Sequence, residues 1–170
     1  MRDINLSKLN LSKAMNSKAM NHCDTHTHCI SDAIEKGEKI CNENGLKFTA
    51  IRRKVLELVW SSHKPVKAYD ILESLTKEGG AAMPPTVYRA LDFLLKNGLV
   101  HKINSLNAFV GCSHPAADNQ CYFLICNECD VVTECCTANL GKAIGKSAKD
   151  NAFTMDAASL EITGTCQACR

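Results

Sequence analysis

Long apolar runs are missing from this 170-residue chain. No stretch approaches the ~20 consecutive apolar residues that cross a bilayer, so the sequence predicts no membrane partner. Met1 to Asn21 alternates Lys, Ser and Asn with single Leu residues. It has no apolar h-region and does not read as a secretory signal. A large net charge is also missing: the balance is only +2. No nucleophile–base pair and no phosphate-binding loop is legible, which argues against an enzyme, and nothing points to a small organic ligand. These absences place the chain in the cytoplasm, a reducing compartment where clustered thiols more often bind metal than form disulfides.

Cysteine, by contrast, is abundant, with 11 residues. Four of them form two Cys-x-x-Cys pairs, Cys126/Cys129 and Cys166/Cys169. At that spacing two thiols reach one ion from a tight turn, and two such pairs complete a tetrahedral all-sulfur set for zinc. The pairs are 36 residues apart, more than in a simple zinc ribbon. The ion would therefore clip the start of a small module to its end. Four thiolates leave no open position, so this zinc would be structural. Two redox-active pairs are the competing reading. Against it, neither pair sits in a thioredoxin-like βαβ context, and no Trp or Pro adjoins either one.

The charge is unevenly spread. From Leu46 to Lys102 there are ten Lys/Arg against five Asp/Glu; from Ile103 to Arg170 there are four against seven. A basic centre and an acidic C-terminal part argue for two modules, the first facing a polyanion. Residues 1–30 read as a disordered tail. The tract from His22 to Cys29, with three His and two Cys, could take a soft metal but has no folded frame. Order is expected from Ser31, an N-cap for a helix ending at Gly45. A second helix follows Thr49, a third spans Ala68 to Lys77, and a fourth runs from Pro84 to Asn97 with Val87, Ala90, Leu91, Leu94 and Leu95 as its apolar stripe. Two strand-like runs follow, Leu99 to Ile103 and Ala108 to Cys112.

Three helices and a hairpin in that order are the layout of a winged helix-turn-helix, with the fourth helix as the reader. Arg89 and Tyr88 lie off its apolar stripe, and Arg suits bidentate readout of guanine. Tyr69 opens the preceding helix. Arg52 and Lys64 are candidates for phosphate contact, which positions without specifying sequence. The competing readings are a helix-surface pair for Arg89 with Asp92 and core packing for the tyrosines. After Cys136 a helix carrying Leu140, Ile144 and Ala148 is expected, then a strand from Ala157 to Ile162. The fold class is α+β, with a winged-helix domain at 31–111 and a zinc-binding dimerisation domain at 112–170.

The runs Phe48-Thr49-Ala50-Ile51-Arg52-Arg53, Ala68-Tyr69-Asp70-Ile71-Leu72, Pro85 to Leu94, Gly98 to Lys102 and Phe123-Leu124-Ile125-Cys126 keep their order. Together they resemble the ferric uptake regulator superfamily. The Tyr88 to Leu94 run followed by Val100-His101-Lys102 is similar to its zinc-uptake branch. That resemblance implies a homodimer on an AT-rich palindromic operator, with zinc as corepressor of zinc-uptake genes. It also implies two zinc ions per subunit, one structural and one regulatory. The regulatory ligands carry over to His101, Cys112 and Glu134. The fourth position of that set is Asn119 here, a poor ligand, so Cys121 is expected to replace it, with His114 as the alternative. An iron or peroxide sensor of the same superfamily is the runner-up; Cys112 favours borderline-soft zinc over an oxygen-rich iron site.

Overall fold

The computed structural model describes residues 26–62, 64–78, 83–115, 121–156 and 158–170. Four helices come first: α1 (His26–Glu43), α2 (Ala50–Trp60), α3 (Ala68–Lys77) and α4 (Pro84–Lys96). A hairpin of β1 (Val100–Ile103) and β2 (Ala108–Gly111) follows. The C-terminal part holds β3 (Cys121–Cys126), β4 (Val132–Cys136), α5 (Ala138–Asp150), β5 (Glu161–Gly164) and a 3-10 turn at Gln167–Cys169. No described helix is long and apolar enough to cross a membrane.

The helices follow the 3.6-residue spacing of their apolar positions. Val55, Leu56 and Val59 of α2, Ile71 and Leu75 of α3, and Val87, Ala90, Leu91 and Leu94 of α4 are all buried in one core. Each large aliphatic side chain so buried contributes about 1.5–3 kcal/mol. Pro84 and Pro85 sit in the first turn of α4, where a missing N–H costs nothing. Gly98, at φ 64°, ends α4 and turns the chain into β1. Val66 and Phe109 exchange backbone hydrogen bonds of 2.9 and 2.8 Å, adding a short third rung to the wing.

Two boundaries and one cap differ from the sequence expectation. The first helix begins at His26, ahead of Ser31, so residues 26–30 are helical rather than tail; Ile30 packs against the core. Residues 1–25, the Gly79-Gly80 pair, Asn119 and Ala157 lie outside the described residues. Thr49 stands at the N-cap of α2, but its side chain makes no capping bond. The last strand is Glu161–Gly164, later than expected. Its limits are set by its partner: Glu161 pairs with Phe123 and Gly164 with Cys126, where β3 ends.

The second sheet has the order β4-β3-β5, with β4 antiparallel and β5 parallel to β3. Phe123 and Ile125 of β3 pack with Ile103 of β1 and Val110 of β2 in a second apolar cluster. The wing and the three-stranded sheet therefore share a buried seam. On its other side the wing packs closely on α2, at Gly111. A Cβ there would lie 2.1 Å from the Trp60 ring.

Candidate metal centres and nucleic-acid face

The four expected cysteines meet. Parallel pairing sets Gly164 beside Cys126, so the chain two residues later delivers Cys166 to the end of β3. The Cys166 N–H donates to Cys126 Sγ at 3.3 Å. The turn after β3 closes with Asp130 N–H on the Cys126 carbonyl, Asp130 adopting φ 57°; this folds Cys129 back over Cys126. All four sulfurs lie within 4.8 Å of one another, and Cys129 and Cys166 are 3.8 Å apart. Tetrahedral zinc with Zn–S bonds near 2.3 Å requires sulfur separations of about 3.8 Å. Backbone donors, led by the Cys166 N–H, bring the Cys126 thiol down to about 6. Hydrogen bonds to Cys166 and Cys129 push Cys169 up to about 12. One thiolate is thus prepared, and a cation binding there displaces the proton of Cys169.

A second cluster forms where the wing meets the sheet. His101 lies on β1, Cys112 follows β2 and Glu134 lies on β4. Their donor atoms are within 4.8 Å of one another. Glu134 Oε1 is the meeting point: His101 Nε2 is 3.0 Å away, Cys112 Sγ 3.6 Å and Cys136 Sγ 3.6 Å. The Ser113 N–H donates to Oε2 at 2.8 Å. The Glu134 side chain is only 6% exposed. Burial works to raise its carboxyl, yet the bonds from His101 and the Ser113 N–H outweigh it and leave the group below its ordinary value. Burial, then the Glu134 charge, pushes the Cys112 thiol up to about 12. An imidazole, a thiol and a buried carboxylate around one point suit a borderline-soft dication.

The expected fourth ligand, Cys121, is placed differently. It is opposite Cys136 across β3 and β4 and is joined to it in a disulfide. Cys136, read from sequence as an incidental thiol, is the sulfur beside Glu134. His114 forms a further cluster with Glu134 and Cys136, again within 4.8 Å. Cys136 could have been found from the two-residue period of β4, which puts it on the face of Glu134. The neighbouring Cys135 faces the other way. Cys41 is fully buried, as a small apolar residue would be.

The polar side of α4 faces outward. Arg89 is exposed, Tyr88 is 55% exposed and Tyr69 71%, so neither tyrosine is core. Among the described residues, Arg89 makes no ion pair with Asp92. Lys64 is exposed as well. Arg52 is half-buried: its guanidinium stacks 3.5 Å from the Phe93 ring centre and donates to the Lys47 carbonyl at the surface.

A winged helix fused to a cysteine-clamped sheet, with a mixed cluster at the joint, defines a metal-responsive DNA-binding regulator. The model of the Ferric uptake regulator family matches residues 43–163, and the chain belongs to that family. It is a transcription regulator, not an enzyme. It is 35% identical over 144 residues to the zinc uptake regulation protein of Escherichia coli, covering 81% of each chain. Holo XcZur superimposes with a TM-score of 0.76 at 42% identity, over 81% of this chain and 96% of that one. A zinc uptake regulator complexed with zinc and DNA gives 0.78 at 34%, over 82% and 94%.

Proposed function

We propose that this protein is a cytoplasmic, zinc-responsive repressor that binds an AT-rich palindromic operator as a homodimer and controls zinc-uptake genes. The observation that carries this is the joint cluster: His101 and Cys112 come from the wing side, Glu134 from the sheet. Zinc bound there supplies a dication that neutralises the buried Glu134 carboxylate and the Cys112 thiolate. The chain's own residues do the rest. His101 and Cys112 fix the wing, Glu134 fixes the sheet, and the Ser113 N–H holds the carboxylate toward them. Closing this joint sets the angle between α4 and the sheet, and hence the spacing of the two reading helices in a dimer. Zinc can shift that equilibrium only through its preference for the closed form. The four-cysteine clamp holds a separate structural zinc. Arg89 reads bases, with Tyr88, Tyr69 and Lys64 positioning the helix.

The deciding variant is Cys112→Ser. It should keep the dimer and the clamp zinc while losing zinc-dependent binding to an AT-rich palindrome, followed by fluorescence anisotropy during a chelator titration. Unchanged zinc dependence would sink the assignment.

A further inference from the structure

Cys121 and Cys136 have no place in the clamp, yet they lie against the joint. β3 and β4 set them directly opposite, with Cα atoms 4.0 Å apart. Opposed residues of an antiparallel pair project from one face. Phe123 and Glu134 form the next pair on that face, so Cys136 stands beside Glu134 by construction of the sheet. Its sulfur lies 3.6 Å from the same carboxylate oxygen that meets His101 and Cys112. His101, Cys112 and Glu134 supply three donors, and a closed zinc site requires four. Bonded to Cys121, the Cys136 sulfur shares Glu134 but falls in a separate cluster with His114; a Cys136 thiolate released from that bond and turned toward His101 and Cys112 would complete the set. A Cys136 sulfur bonded to Cys121 is no thiolate and cannot.

We propose that the Cys121–Cys136 pair is a redox gate on the joint: reduced, Cys136 is the fourth metal ligand; oxidised, it is withdrawn by its bond to Cys121. This rests on the regulatory reading above. The oxidant is a small-molecule disulfide. The Cys136 thiolate attacks it, breaking the reagent's S–S bond and releasing one thiolate. The Cys121 thiolate then attacks the Cys136 sulfur, forming Cys121–S–S–Cys136 and releasing the second. Two protein thiols are oxidised, one disulfide is reduced to two thiols, and the two cysteine protons end on those thiols. The chain then holds three donors, and the dication leaves more readily. The gate makes occupancy of the joint depend on both zinc and thiol redox state, while the clamp is spared because neither cysteine belongs to it.

The test uses the full-length dimer with its clamp zinc retained. The second site is emptied, then titrated with zinc against a chromophoric chelator, before and after treatment with oxidised glutathione. Oxidation should weaken second-site affinity by at least about 100-fold, since even loss of an outer-shell partner costs 10–100-fold. A thiol reductant should reverse it, and the clamp should keep its zinc throughout. Cys121→Ser should bind like the reduced wild type before oxidation; afterwards its Cys136 can only keep the mixed disulfide with glutathione, a mass increase that the wild type, closing onto Cys121, should not retain. Cys136→Ser should bind weakly in both states. With cobalt(II) in the second site, its thiolate charge-transfer band should fall from two-thiolate to one-thiolate intensity. His114→Gln should still lose second-site affinity on oxidation; a variant that no longer responds would make His114 the gated donor and overturn the proposal. A glutathione adduct on Cys136 persisting in the oxidised wild type in place of the Cys121–Cys136 disulfide, or a two-thiolate spectrum in Cys136→Ser, would overturn the gate. Retention of the second zinc by Cys112→Ser would instead overturn the regulatory reading itself, so the two failures are separable.

Discussion

Two clusters of metal-ligating side chains lie against one three-stranded sheet, and they are built differently. The clamp draws all its sulfurs from the turn after β3 and the segment after β5, strands that pair with each other. The joint draws its donors from β1, the end of β2 and β4. A site whose ligands share one module can report only whether that module is folded. A site whose ligands come from two can report, and alter, how they are placed. The donor types agree with this division. Four thiols make a closed site, whereas the joint mixes imidazole, thiol and a carboxylate already occupied by the Ser113 N–H.

The largest effect should come from breaking the clamp. Cys169→Ser removes one of four ligands from a site of the kind whose metal binding is worth on the order of 10–16 kcal/mol of folding free energy. The expected outcome is loss of sheet structure by circular dichroism together with loss of the tight zinc. A variant that kept both would erase the distinction between the two sites. Arg89→Ala touches neither cluster. It should weaken specific binding by about 1–3 kcal/mol and relax sequence preference. An equal loss on all DNA would make Arg89 a phosphate contact. Gly111→Ala acts on the residue before Cys112, from the helical side of the wing. The added methyl meets Trp60, and overpacking of this kind costs about 1–3 kcal/mol. Because Cys112 is the next residue, second-site zinc affinity should fall while the clamp keeps its metal. Equal loss at both sites would mean that the two are not independent.

The clamp was legible because its information is local: two short spacings name both the ligands and the ion. The helices were legible for a similar reason, since α2, α3 and α4 each show their buried stripe within a dozen residues. The joint was not legible from spacing. His101, Cys112 and Glu134 are separated by 11 and 22 residues and meet only once the wing packs on the sheet through Ile103, Val110, Phe123 and Ile125. Resemblance to a family supplied that set, and it failed to supply the fourth donor where this chain carries Asn119. Strand pairing brings Cys136 there instead, and pairing register is a property of the sheet. The late start of β5 has the same origin, since its partner strand ends at Cys126.

The smallest expected effect concerns a second tie across the joint, one that needs no metal. The Glu161 carboxylate at the start of β5 accepts the N–H groups of Asn104 at 2.7 Å and Ser105 at 3.0 Å, at the tip of the wing. Burial is the largest single influence and raises this carboxyl, but the bonds from Ser105 and Asn104 together outweigh it and hold the group below its ordinary 4.5. A depressed folded value means that the tie contributes fully above 4.5 and is lost as pH falls through the folded value. Glu161→Gln should therefore cost at most about 1 kcal/mol at pH 7, given its solvent access. It should also flatten the decline in stability on acidification, measured by urea unfolding at neutral and acid pH. Clamp and joint metal contents should both stay unchanged. If the variant also loses the second zinc, the wing is held over Glu134 by this contact as much as by the metal ligands, and the joint then has two parts, one of which sets the position that the other senses.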